Sequence, residues 1–207
     1  IYPGVRMQSS VGYVNTSDRT VSLELRPDPA IRSGLLRIDA PERIAPGARG
    51  AINISYLVPA DTPRYGTLRD ALELFVDGRS RGTTIVVHGI GADNPSDMPE
   101  EKAPRSEVST NVVKFGPVKH GPRPAQSLTL SNTGRGDLIV RAVECGEGLS
   151  TPLEPGLAVP PGGSARIEVR LDPSADGYGA RSSFLLLVTN DPLRPMRRIR
   201  ATAVIEE

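Results

Sequence analysis

A chain of 207 residues is long enough for one large or two ordinary domains, and 38% hydrophobic residues supply cores of modest size. Its 25 Lys and Arg against 24 Asp and Glu leave a net charge of +1, balanced locally as 11 basic and 10 acidic residues in 1–94 and 12 and 10 in 108–207. Without a clustered basic surplus to neutralise phosphates, the charge speaks against nucleic acid or an acidic membrane as partner, and a lone cysteine, Cys145, excludes a disulfide-stapled scaffold.

No stretch approaches the roughly twenty apolar residues that span a bilayer. With 20 Pro and 21 Gly punctuating short apolar runs, the sequence predicts an all-β chain. It also reads as two related copies. Val11-Gly12-Tyr13-Val14 matches Phe115-Gly116-Pro117-Val118, Ser22-Leu23-Glu24-Leu25 matches Ser127-Leu128-Thr129-Leu130, and Ile44-Ala45-Pro46-Gly47 matches Val159-Pro160-Pro161-Gly162. Residues 61–66 answer 174–179, and 72–77 answer 185–190. The expected architecture is therefore two tandem immunoglobulin-like β-sandwich domains, 1–94 and 108–207.

In the first copy Ile52, Ile54 and Tyr56 are expected to point inward while Asn53 and Ser55 meet water. Leu72, Leu74 and Val76 should likewise face the core, leaving Ala71, Glu73 and Phe75 outside. Residues 95–107 carry prolines and charges with few large apolar groups, which predicts a semi-extended linker. Strands follow near 111–118, 124–132, 137–144, 164–171, 182–190 and 195–205, with one more short strand in 149–159. Ile167, Val169 and Leu171 should face inward, against Arg166, Glu168 and Arg170.

Phe115-Gly116-Pro117-Val118, Leu128-Thr129-Leu130-Ser131-Asn132-Thr133-Gly134, Asp137-Leu138-Ile139-Val140, Pro161-Gly162 and Val188-Thr189-Asn190-Asp191-Pro192 together resemble the bacterial domain of unknown function 1573. That family looks related to the ASH, Hydin and major-sperm-protein type of immunoglobulin-like repeat. The likeness covers 108–207. The first copy fits more loosely, with Arg26-Pro27-Asp28 in place of the Asn-Thr-Gly turn. The pair is similar to the carboxy-terminal part of larger envelope proteins. Where that family often has Cys-Gly-Cys, this sequence has Cys145-Gly146-Glu147, so chemistry that needs two sulfurs is not implied. The resemblance implies a Gram-negative extracytoplasmic protein, periplasmic or envelope-anchored, without established catalysis.

Candidate sites are few. His88 and His120 have no second ligand at metal spacing, a serine-hydrolase elbow is missing, and no acid/base pair or cofactor loop appears, so neither catalysis, cofactor nor metal is expected. Asp93, Asn94, Asp97, Glu100 and Glu101 form an acidic stretch without a calcium loop's spacing. The Arg194 to Arg200 run is read as a charged outer face; Cys145, at the end of a strand-like run, is open between a buried packing residue and a lipid-attached or redox thiol, the latter needing an exposed, electropositive setting. One asymmetry stands out. On the outer side of the strand near 182–190, Phe184, Leu186 and Val188 replace Ala71, Glu73 and Phe75, and this apolar row is the candidate docking surface for an unidentified protein partner. The function expected is a non-catalytic structural or docking module. The alternatives are a PapD-like periplasmic chaperone that lends an edge strand, and a carbohydrate-binding domain, the latter poorly served by a chain with no Trp.

Overall fold

A computed structural model describes residues 1–175 and 177–207; Asp176, within the matched segment 174–179, lies outside the described residues. The described residues fold into strands and two short 3-10 turns, in two compact units, Ile1–Gly91 and Ala92–Glu207. The all-β immunoglobulin-like sandwich class is thus what the chain adopts.

Unit 1 contains β1 (Arg6–Val14), β2 (Val21–Pro27), β3 (Leu36–Asp39), β4 (Arg43–Ile44), β5 (Arg49–Leu57), β6 (Gly66–Val76) and β7 (Arg79–Gly91). They form a three-stranded sheet in the order β1-β5-β3 and a four-stranded sheet in the order β4-β2-β6-β7. Ile52, Ile54 and Tyr56 are buried as their alternation requires, and Tyr56, Val58 and Leu68 gather Leu35, Leu36 and Val87 around them. Asp77 and Gly78 join β6 to β7 with φ of 52° and 73°. A two-residue turn with positive φ at both centres matches the twist of a hairpin, and Asp-Gly tolerates it.

Unit 2 begins with 3-10 turns at Pro95–Asp97 and Glu100–Lys102, then β8 (Ser106–Val108), β9 (Val112–Lys119), β10 (Ala125–Asn132), β11 (Leu138–Cys145), β12 (Leu149–Ser150), β13 (Ala158–Val159), β14 (Ser164–Leu171), β15 (Gly179–Thr189) and β16 (Met196–Glu206). The sheets run β12-β14-β10-β8 and β13-β11-β15-β16-β9. Leu128, Leu130, Leu138, Val140, Ile167, Val169, Leu185, Leu187 and Ile199 make one continuous core between them.

In strand order, unit 1 equals unit 2 with β8 and β9 taken away: β1-β5-β3 corresponds to β10-β14-β12, and β4-β2-β6-β7 to β13-β11-β15-β16. This corrects the register in which the sequence copies were aligned. Val11-Gly12-Tyr13-Val14 belongs to a strand equivalent to β10, not to the one holding Phe115, and Ser22 to Leu25 lie in the equivalent of β11. Two asparagines confirm the shift. Asn15 exchanges backbone bonds with Ala48 and Gly47 and its amide donates to the carbonyls of Arg19, Ile44 and Ala45. Asn132 exchanges backbone bonds with Gly163 and Gly162 and donates to those of Gly136 and Val159. Hence Asn15-Thr16-Ser17, not Arg26-Pro27-Asp28, stands in the place of the Asn-Thr-Gly turn.

The stretch 95–107 also differs from the expected linker. Ala103 and Ser106 are buried, Arg135 N–H donates to the Ala103 carbonyl, and Thr133 N–H to that of Arg105. Short apolar content is enough here because the backbone bonds, rather than a private core, tie the segment to unit 2.

Candidate docking surfaces

The row on β15 comes first. Leu185 and Leu187 fill the core, so Phe184, Leu186 and Val188 lie on the opposite side of the strand, as alternation demands. Leu186 and Val188 are nevertheless 5% and 0% exposed, covered by the chain's own residues. Phe184 alone is partly open, and the Arg198 guanidinium lies 4.0 Å from its ring centroid. The outer row is therefore corrected: side chains without free area cannot form a three-residue docking face, and the cation already occupies the remaining aromatic surface. Unit 1 repeats the device, with Arg26 placed 3.8 Å over Phe75.

The Arg-rich end disperses. Arg197 donates to the Oγ (2.9 Å) and carbonyl oxygen of Ser106, and Arg200 to Ser182 Oγ at 3.0 Å, so the guanidiniums do not converge on one anion position. Ser106 in turn donates from N–H and Oγ to Asp191, at 2.8 and 2.7 Å. Burial pushes the Asp191 carboxyl up, but bonds from Ser106, Leu193 and Arg194 outweigh it and hold the group below the ordinary carboxylate value. These contacts fasten β8 to the turn between β15 and β16.

His88 is exposed on β7, and the His120 ring meets that of Tyr178 at a tilt of 56° with centroids 5.6 Å apart. No group of three potential metal-ligating side chains occurs among the described residues. Asp93, from the acidic stretch, pairs with Arg141 at 2.8 Å. Cys145 packs against the unit 2 core, and burial raises its thiol, which leaves it a poor nucleophile.

What the sequence reading missed is an open flank in unit 1. β1 and β7 each have a neighbour on one side and, among the described residues, no strand on the other. Directly paired residues share a sheet face, so Met7, Ser9 and Val11, opposite Tyr56, Ile54 and Ile52, point to the inner side. They should be buried. Instead Met7 and Val11 are 39% and 36% exposed. Between the two edges lies a cleft of about 190 Å³ lined by Met7, Ser9, Ile54, Tyr56, Val87 and Gly89. Its floor is rigid: Tyr56 Oη donates to Asp70 Oδ2 at 2.5 Å, and Ser33 N–H and Oγ donate to the same carboxylate at 2.9 and 2.6 Å. Desolvation and this carboxylate push the Tyr56 hydroxyl well above its usual value, keeping it protonated as a donor. The signal available was the exposed alternation of Met7, Ser9 and Val11, hidden by the mistaken register.

Residues 104–202 match the family model described as HYDIN/CFA65/VesB-like, Ig-like domain. Unit 2 carries an Ig-like domain. No curated protein matches the chain in sequence. Among solved structures, a protein of unknown function from Porphyromonas gingivalis W83 is similar over 99% of this chain and 93% of its own, with 20% identity and a TM-score of 0.68, which shows a shared fold. The ASH/PapD-like domain 7 of human CEP192 covers 53% of this chain and 89% of its own at 12% identity, TM-score 0.42. The Pseudomonas aeruginosa CupB2 chaperone covers 96% and 93% at 14% identity, TM-score 0.29. Neither of these last two likenesses is close enough to carry an argument. No helix among the described residues is long and apolar enough to cross a membrane.

Proposed function

We propose that this chain is a non-catalytic tandem immunoglobulin-like module of a bacterial envelope protein that docks a protein partner. The observation that carries the reading is the flank of unit 1, where β1 and β7, the latter met at Ile90 by the Ile1 amino group, have no neighbouring strand among the described residues and lie beside inward-pointing but exposed apolar side chains. Bare edges are places where another polypeptide can add its backbone bonds, and natural sheets otherwise cover or blunt them. The extracytoplasmic location rests on the resemblance to envelope proteins. The alternative role of lending a strand, as PapD-like chaperones do, uses the same edge and differs in which molecule is completed.

Site-directed photo-cross-linking in the native host tests the reading. A photoreactive residue at Val11 or Val86 should yield a defined protein adduct, while one at Glu168 on β14 should yield none. Equal labelling from all three positions, or from none, would remove support for docking at this flank.

A further inference from the structure

The outer face of the β1-β5-β3 sheet differs from its counterpart in unit 2 in where its carboxylates stand. Val11 opposes Ile52 as Leu128 opposes Ile167, and Leu36 opposes Tyr56 as Leu149 opposes Leu171. Counted from these pairs, Arg6 takes the place of Arg123, Leu57 that of Asp172, Asn53 that of Glu168 and Arg37 that of Ser150. In unit 2 Arg123 pairs with Asp172, and Arg170 with Glu168, both at 2.5 Å. In unit 1 both carboxylate positions are neutral while the arginines remain. β1, β3 and β5 carry Arg6, Arg37 and Arg49 against Asp39 alone, all exposed on the outer side. Arg6 reaches Ser55 Oγ at 3.4 Å, and Arg37 flanks Ser55 from the other strand. Among the described residues neither guanidinium meets a carboxylate, and Asp39, two residues from Arg37, accepts from the Asn53 amide at 3.4 Å instead. Two hollows of about 460 and 430 Å³ share Arg6 and Arg37 as lining, the first continuing to Ser55 and Asn53, the second to Leu57 and Pro59.

We propose that this trough docks an extended acidic segment of a partner protein, its carboxylates held by Arg6 and Arg37 and an apolar side chain laid on Leu57 and Pro59. A guanidinium presents a planar fork of donors that matches a carboxylate. Cations that converge without a counter-charge repel one another, and a bound carboxylate relieves that repulsion. The neutral side chains at positions 53 and 57 leave it room to do so. Two adjoining hollows are longer than a single inorganic ion needs, and no aromatic ring lines them on which a sugar could stack. Residues 1–94 as a whole hold 11 basic and 10 acidic groups, so the attraction is local to this face. The face lies on the far side of the sheet from the flank cleft and takes its ligand independently of it.

A labelled peptide alternating Glu with Leu, and its counterpart with Gln for every Glu, are titrated into the 207-residue chain at low salt. Saturable binding of the acidic peptide is expected, about tenfold or more tighter than that of the neutral one, and weakening severalfold as ionic strength rises to about 0.15 M. Arg6→Gln combined with Arg37→Gln should weaken it at least tenfold. Arg166→Gln combined with Arg170→Gln removes the same charge from the matching face of unit 2 and should leave it unchanged. Leu57→Asp gives Arg6 the carboxylate that Arg123 has, and should weaken binding as much as losing the arginines does. All five positions are exposed, and unchanged urea midpoints check that the variants fold. No binding, or equal loss in the two double variants, would overturn the site. Sulfate that displaces the peptide at equal concentration would reduce it to a contact with any anion and overturn it too. A sulfated glycan that binds where the peptide does not would overturn a peptide ligand. Dimers of the chain dispersed by the Arg6 and Arg37 substitutions, or a chain of cellular length that refuses the peptide, would overturn a partner-derived segment. None of these substitutions lines the flank cleft, so loss of the peptide leaves the test at Val11, and the docking reading, intact.

Discussion

Asn132 is 1% exposed, yet its side chain serves four backbone groups: it donates to the carbonyls of Gly136 and Val159 and accepts from the N–H groups of Arg105 and Gly134. Truncation would strand buried partners, each costing about 1–3 kcal/mol when unsatisfied. Asn132→Ala should therefore lower the stability of unit 2 by about 2–3 kcal/mol, read from urea unfolding. Asp191 gives a pH-dependent counterpart. Its folded-state carboxyl lies below the ordinary value, so its contribution is present above the ordinary carboxylate range and fades as pH falls through the lowered native value. Asp191→Asn should cost about 1–2 kcal/mol at pH 7, and that difference should begin to shrink as pH falls below about 4 and be lost once pH passes below the lowered native value. A difference that stayed constant from pH 7 to pH 3 would mean that the charge contributes nothing.

Strands with strict alternation were readable from the sequence because burial on one face leaves a period of two: Ile167, Val169 and Leu171 on β14, and Ile52, Ile54 and Tyr56 on β5, are all buried. Residues whose partners are backbone groups were not. The 92–105 stretch looks unfoldable by composition, but Gly134 and Gly136 let its backbone approach so closely that a Cβ at Gly136 would collide with the Lys102 carbonyl oxygen. The first-copy register failed for a related reason. Val11-Gly12-Tyr13-Val14 resembles Phe115-Gly116-Pro117-Val118 in letters, whereas the structural equivalence is carried by Asn15, a single polar residue just past the end of β1. The docking row failed because apolar character on an outer face predicts a cover without saying whether the chain supplies it. Gly136→Ala should act on the element rather than the core. It should shift overall stability by about 1–3 kcal/mol, as overpacking does, and speed amide exchange or proteolysis in 92–105. Unchanged protection there would show that the close approach does not hold the segment.

At the scale of the whole chain, two separate interiors set how stability is divided. The unit 2 core is a continuous cluster between two sheets, whereas the inner face of unit 1 remains partly wet along the flank of β1 and β7. Apolar area left in water contributes little, at about 25 cal/mol per Å² only for area removed from it, so unit 1 should be the less stable of the two. Leu187, fully buried in unit 2, and Tyr56, bonded to Asp70 in unit 1, separate the contributions. Leu187→Ala should cost about 2–5 kcal/mol and move the later of two urea transitions, whereas Tyr56→Phe, which leaves a buried carboxylate one donor short, should cost about 1.5–3 kcal/mol and move the earlier one. A single transition displaced equally by both substitutions would show one cooperative unit and remove the ground for ranking unit 1 below unit 2.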